Sequence, residues 1–249
     1  MLAGLTLVVL ALIVGILIGC VGIGGVLLPP ALTYIGGFDL HMAMATSMWS
    51  FLFTGAVGTI AYSRRNSVDW RMVLWLGAGT VPSAVLGAVS NTAMPGGVLT
   101  VLLAALIVAA GVNALTKSPS AEHPANSFGH LLLFLIGAVV GFGSALTGTG
   151  GPVLLVPILI FMRAPILSAI AASQVVSIPV ALFSTFGYVL FSRVDFTLGT
   201  ALGLIAAVGV VIGMLIAHAV PILALRRIVA VSLVGVGVLI IVRVLATGA

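Results

Sequence analysis

Gly22-Ile23-Gly24-Gly25-Val26-Leu27-Leu28-Pro29-Pro30 returns 126 residues later as Gly148-Thr149-Gly150-Gly151-Pro152-Val153-Leu154-Leu155-Val156-Pro157. The same offset carries Val68-Asp69-Trp70 to Val194-Asp195-Phe196, and between those motifs it carries Ser47 to Ser173, Thr59 to Thr185 and Tyr62 to Tyr188. Gly15 to Gly141, Gly87 to Gly213 and Gly111 to Gly237 extend the match in both directions. The chain is therefore one unit written twice, and each copy has a Gly-rich break followed by proline inside an apolar run.

Composition fixes the solvent. Hydrophobic residues make up 62% of the 249 residues and charged residues 5%, far from the roughly 25% charged of a soluble domain. No charge occurs from Met1 to Phe38 or from Met72 to Leu115. A helix needs about 20 residues to cross a hydrocarbon core, so these stretches predict a multi-pass protein of the cell inner membrane. Met1 to Gly19 lacks a basic n-region and has a counterpart in the second half, so it is read as a mature span rather than a leader. The net charge of +5 comes from basic residues scattered at segment ends. It fits headgroup contact and orientation, and no nucleic-acid partner is expected. The one cysteine, Cys20, rules out an internal disulfide and a multi-cysteine metal site.

Breaks at charges, prolines and Gly/Asn clusters give eight apolar segments, approximately 3–34, 42–63, 70–90, 96–116, 129–161, 166–191, 197–218 and 222–245. The expected fold is an all-α membrane bundle of two four-segment repeats, 1–116 and 129–249, joined by a polar cytoplasmic linker at 117–128. Segments one and five are too long for one straight span. Each fits either a broken, tilted helix or a full span followed by a re-entrant half-helix. Eight crossings put Arg64, Arg65, Arg71, Lys117, Arg193 and Arg243 on one side and Arg163, Arg226 and Arg227 on the other. The positive-inside rule then places both termini in the cytoplasm. The Val-Asp-Trp/Phe loop, preceded by arginine in both halves, favours parallel over inverted repeats.

All four acidic residues, Asp39, Asp69, Glu122 and Asp195, fall at segment ends. No carboxylate is left inside a span to hold a cation or relay a proton, and no Lys or Arg to hold an anion by salt bridge. Unwound Gly-x-Gly-Gly exposes backbone N–H groups, and a helix starting after it directs its positive end to the same place. Paired breaks of this kind near the midplane are a device of secondary transporters. The candidate binding residues are Gly22, Gly24, Gly25 and Ser47 in the first half, and Gly148, Thr149, Gly150, Gly151, Ser173 and Gln174 in the second. Ser47 and Ser173 have an alternative role, bonding a carbonyl one turn back. Asp69 and Asp195 read as helix caps. No enzyme motif, metal-ligand spacing or cofactor motif is present.

A Gly-x-Gly-Gly element followed by Pro, then Ala-x-Ser, then Val-Asp-Trp/Phe, duplicated over residues 5–115 and 131–241, resembles the TauE/SafE sulfite exporters. The resemblance implies a permease for a small sulfur-containing anion, sulfite or an organosulfonate, working without a bound cofactor. It carries over to Gly22, Gly24, Gly25, Ser47, Gly148, Gly150, Gly151 and Ser173. The expected partners are that small anionic substrate and the lipid bilayer, and a homo-oligomer is compatible with the chain. An anion channel or a non-transporting membrane assembly factor are the alternatives. The copies differ at Ile23/Thr149, Val26/Pro152 and Met48/Gln174, so the second is the more polar.

Overall fold

Hydropathy and length alone predict the long helices, and the computed structural model contains them. It describes residues 2–99, 129–162, 164–191 and 194–219, with a few positions between 101 and 108 and at 221. Regular structure there is entirely helical. Six helices are long and apolar enough to cross a membrane. These are α1 (Leu2–Val21), α3 (Leu40–Ser63), α4 (Trp70–Ala93), α5 (His130–Thr147), α7 (Ile166–Phe191) and α8 (Phe196–Ala219). Two short helices, α2 (Leu28–Tyr34) and α6 (Pro152–Phe161), follow the Gly-rich breaks, with a 3-10 turn at Gly24–Leu27 leading into α2. The expected segments 96–116 and 222–245 lie largely or wholly outside the described residues.

The long apolar segments one and five are thus each split. Of the two shapes the sequence allowed, the structure has a full-length helix followed by a short returning arm. α1 ends at Val21, Gly22 takes φ +75°, and Gly24 comes to lie back against the backbone of Val14 and Ile18. In the second half Gly148 at φ +66° caps α5, and Gly150 has φ +77°. Such backbone strongly favours glycine, because a Cβ would crowd the next carbonyl. Proline at the first turn of α2 and of α6 suits the restart of a helix, where an N–H has no internal partner. Asp39, Asp69 and Asp195 accept from His41 N, Met72 N and Leu198 N respectively, so the three carboxylates cap α3, α4 and α8.

Glycine contacts reveal the direction of each helix. Gly15 packs on Ala206 and Gly19 on Val210, so α1 and α8 run parallel. Gly141 packs on Thr80 and Gly87 on Phe142, so α4 and α5 run parallel as well. Gly199 against Thr46 and Gly203 against Ser50 align α8 with α3. In contrast, Gly55 meets Ser177 while Gly58 meets Gln174, so α3 and α7 cross antiparallel. Small residues at these contacts let backbones approach closely, which is how apolar helices find contact area where lipid offers no hydrophobic drive. Equivalent residues make equivalent bonds: Tyr62 donates to the carbonyl of Gly19, and Tyr188 to that of Ala145.

Because α3 and α7 are equivalents running in opposite directions, the axis relating them lies in the membrane plane. The expectation of parallel repeats is overturned. α1 and α3 point the same way, so the Gly22–Asp39 arm returns across the bundle; α5 and α7 likewise point the same way about the arm that holds α6. The Val-Asp-Trp/Phe turns cap opposite ends of the bundle. A capping turn is local chemistry that works equally at either face, so it carried no information about sidedness. The side assignments change with it: the start of α1 and the loop bearing Arg64 and Arg65 lie at opposite ends, and cannot both be cytoplasmic.

Candidate functional site

The two Gly-rich breaks meet at the centre of the bundle. A Cβ on Gly25 would stand 2.6 Å from the carbonyl oxygen of Thr149. Gly22 lies beside Ser173 and Val156, and Gly148 against Met44. Ile18, Gly25, Phe51, Thr54, Thr149, Gly150, Pro152 and Ser177 line a crevice between the breaks, narrower than a water molecule. The first turns of α2 and α6 start at this junction. The Leu28 N–H bonds the Gly25 carbonyl, and Pro29, Pro30 and Pro152 carry no N–H, so what the two short helices direct there is the positive end of their dipoles.

Two long helices also end here, and their carbonyls would oppose an anion if left bare. They are occupied. Gln174 Nε2 donates to the Ile18 carbonyl at 3.1 Å, which also accepts from Gly22 N at 3.0 Å. Tyr62 and Tyr188 take the Gly19 and Ala145 carbonyls, and Asn91 Nδ2 takes that of Leu146 at 2.7 Å. Donors reaching from α3, α4 and α7 thus quench the negative ends of α1 and α5. Nearby, the Ser144 hydroxyl, Gln174 Oε1 and Asn91 Oδ1 stay buried without a partner. Among the described residues no Asp, Glu, Lys or Arg is buried.

The candidate residues divide on inspection. Gly22, Gly24, Gly25, Gly148, Thr149, Gly150 and Gly151 are brought to one junction, all fully buried. Thr149 Oγ1 is 2.9 Å from Thr147 Oγ1, which donates to the Gly143 carbonyl. Ser47 and Ser173 take the alternative foreseen for them: Ser47 donates to Ala43 O at 2.8 Å and Ser173 to Ile170 O at 2.7 Å. Gln174 spends its amide N–H on Ile18 and leaves Oε1 buried without a partner. The structure adds Phe51, Thr54, Ser177, Asn91 and the two tyrosines. The tyrosine pair was visible at the 126-residue offset, but their role as carbonyl donors depends on where α1 and α5 stop.

Comparison with known proteins identifies the family. The family model for the sulfite exporter TauE/SafE matches residues 7–240. The chain belongs to the TauE/SafE family. It is 29% identical over 194 residues to a probable membrane transporter protein of Xylella fastidiosa (strain 9a5c), covering 75% of this chain and 74% of that one. It is 27% identical over 228 residues to the probable membrane transporter protein YjnA of Bacillus subtilis (strain 168), covering 84% and 88%. A further B. subtilis protein, the probable membrane transporter protein YdhB, is 22% identical over 199 residues. No solved structure matches the chain. This TauE/SafE member is a multi-pass membrane protein of a transporter family.

Proposed function

We propose that the protein exports a small sulfur oxyanion, sulfite or a small organosulfonate, across the membrane. The observation that carries the reading is the central junction, where two helix N-terminal ends converge while the neighbouring carbonyl ends are bonded to side chains. A small hydrated oxyanion needs several donors that hold it weakly enough to let it leave. Backbone N–H groups of Gly24, Gly25, Gly150 and Gly151 and the hydroxyl of Thr149 are such donors. Gly22 and Gly148 set the turns that present them. Ser47, Ser173 and Gln174 support the junction through carbonyls rather than touching the anion. Export also follows the electrical gradient: one negative charge leaving an inside-negative cell gains about 2.3 kcal/mol per 100 mV.

The accompanying architecture is eight long segments and two short arms, in inverted repeats over 1–116 and 129–249. Arg64, Arg65 and Arg71 share the end at which α4 starts, and positive-inside places that end in the cytoplasm. Arg71 bonds His130 at 2.7 Å, so α5 starts at the same end. The start of α1 then faces outward, reversing the sequence-based placement. The test is counterflow of radiolabelled sulfite in proteoliposomes, run against sulfoacetate, sulfate and chloride. Saturable exchange of the sulfur anions supports the reading. Flux without saturation identifies a channel, and no flux of any of them overturns transport.

A further inference from the structure

One aromatic side chain lines the crevice at the junction. Phe51 sits midway along α3, is 2% exposed, and reaches both Gly-rich breaks. A Cβ on Gly25 would lie 3.2 Å from its Cζ, and one on Gly150 would lie 3.0 Å from its Cδ2. The ring therefore occupies the space between Gly25 and Gly150. The repeat makes the arrangement one-sided. The residue equivalent to Phe51 is Ser177, and a Cβ on Gly151, the position facing it, would lie 3.4 Å from the Ser177 hydroxyl oxygen. Where the first repeat contributes Ile18, Val21 and Ile23, the second contributes Ser144, Thr147 and Thr149. Polar donors lie on one side of the junction and an aromatic ring projects from the other.

We propose that Phe51 is the gate of the permeation path: its ring fills the anion position in the closed protein and swings aside to admit the substrate, setting the largest anion that passes. This rests on the transport reading above. Glycine at 25 and 150 is what makes the motion possible, since any Cβ at either position would press on the ring. Thr149 and Ser177 line the same crevice; the Ser177 hydroxyl donates to the Ser173 carbonyl at 2.8 Å, so Thr149 is the side chain that meets the anion once the ring has left. A single bulky side chain hinged at Cβ can do this by rotamer exchange.

The experiment compares efflux of radiolabelled sulfite and of a bulkier aryl sulfonate from proteoliposomes, with melting temperature in detergent measured for each variant. The unmutated protein is assayed first; absence of saturable flux there counts against transport itself, not against the gate. On a transporting background, Phe51→Ala and the milder Phe51→Leu are expected to raise aryl sulfonate efflux about tenfold or more, a change of about 1.4 kcal/mol in barrier. Phe51→Trp is expected to stop sulfite efflux. Phe51→Leu that melts normally and keeps the original size cut-off overturns the proposal, as does Phe51→Trp with undiminished efflux.

Discussion

At the scale of single residues, the hydroxyls at the junction are not equivalent. Ser47 is bonded to a carbonyl four residues back in its own helix, which satisfies it locally. Thr149 stands in the break itself, in the crevice between the arms. Thr149→Val should weaken sulfite binding by about 1–3 kcal/mol, the cost of leaving a buried polar partner unpaired. Ser47→Ala should leave it nearly unchanged. Calorimetric titration in detergent checks both, and a larger loss at Ser47 than at Thr149 would reverse the assignment. Gly150 has two reasons to stay glycine, its φ of +77° and the Phe51 ring against it. Gly150→Val should lower the melting temperature and abolish binding, since left-handed backbone costs a residue with a Cβ about 1–2 kcal/mol before any clash is counted.

At the scale of elements, the informative feature is how α1 and α5 stop inside the bundle. A helix end in an apolar interior leaves carbonyls that must find donors, and Tyr62 and Tyr188 supply them from α3 and α7 at equivalent positions. Tyr62→Phe and Tyr188→Phe should each destabilise the protein by about 1–3 kcal/mol through an orphaned carbonyl. Thermal unfolding in detergent would show it as a matched pair of losses. If the tyrosines are unimportant, or only one matters, the two breaks are not supported alike. The same substitutions should weaken anion binding, because each bares a carbonyl oxygen beside the site.

At the scale of the whole molecule, inversion of the repeats is the property that can be tested from outside the cell. With Cys20 replaced by alanine, Arg65→Cys and Val194→Cys sit in loops that flank equivalent helix starts at opposite ends of the bundle. A membrane-impermeant thiol reagent should label Val194→Cys in intact cells and Arg65→Cys only after permeabilisation. Labelling of both from the same side would restore parallel repeats. Two halves facing opposite ways around one central site give a transporter two related arrangements, one open to each side. The differences between the halves, Phe51 against Ser177 and Ile23 against Thr149, are where that symmetry is broken.

Much of this was legible in the chain itself. Hydropathy set the membrane as solvent, because charged residues are too costly inside it to be scattered at random. The 126-residue offset exposed the duplication, and the Gly/Pro pairs located both breaks, since only particular backbone conformations suit those residues. The caps at Asp69 and Asp195 followed from local chemistry. The relative direction of the two halves was decided only in three dimensions. A returning arm and a crossing helix look alike as apolar runs, so counting spans could not fix how many times the chain traverses the membrane. The fate of each polar group was also a tertiary matter. Ser47 and Ser173 bonded carbonyls of their own helices, but Gln174 turned to the Ile18 carbonyl because the end of α1 lies within its reach, and Phe51 became the residue between the two breaks because the middle of α3 passes Gly25 and Gly150. Sequence states which groups need partners; only the packed helices decide which partners stand close enough to meet that need.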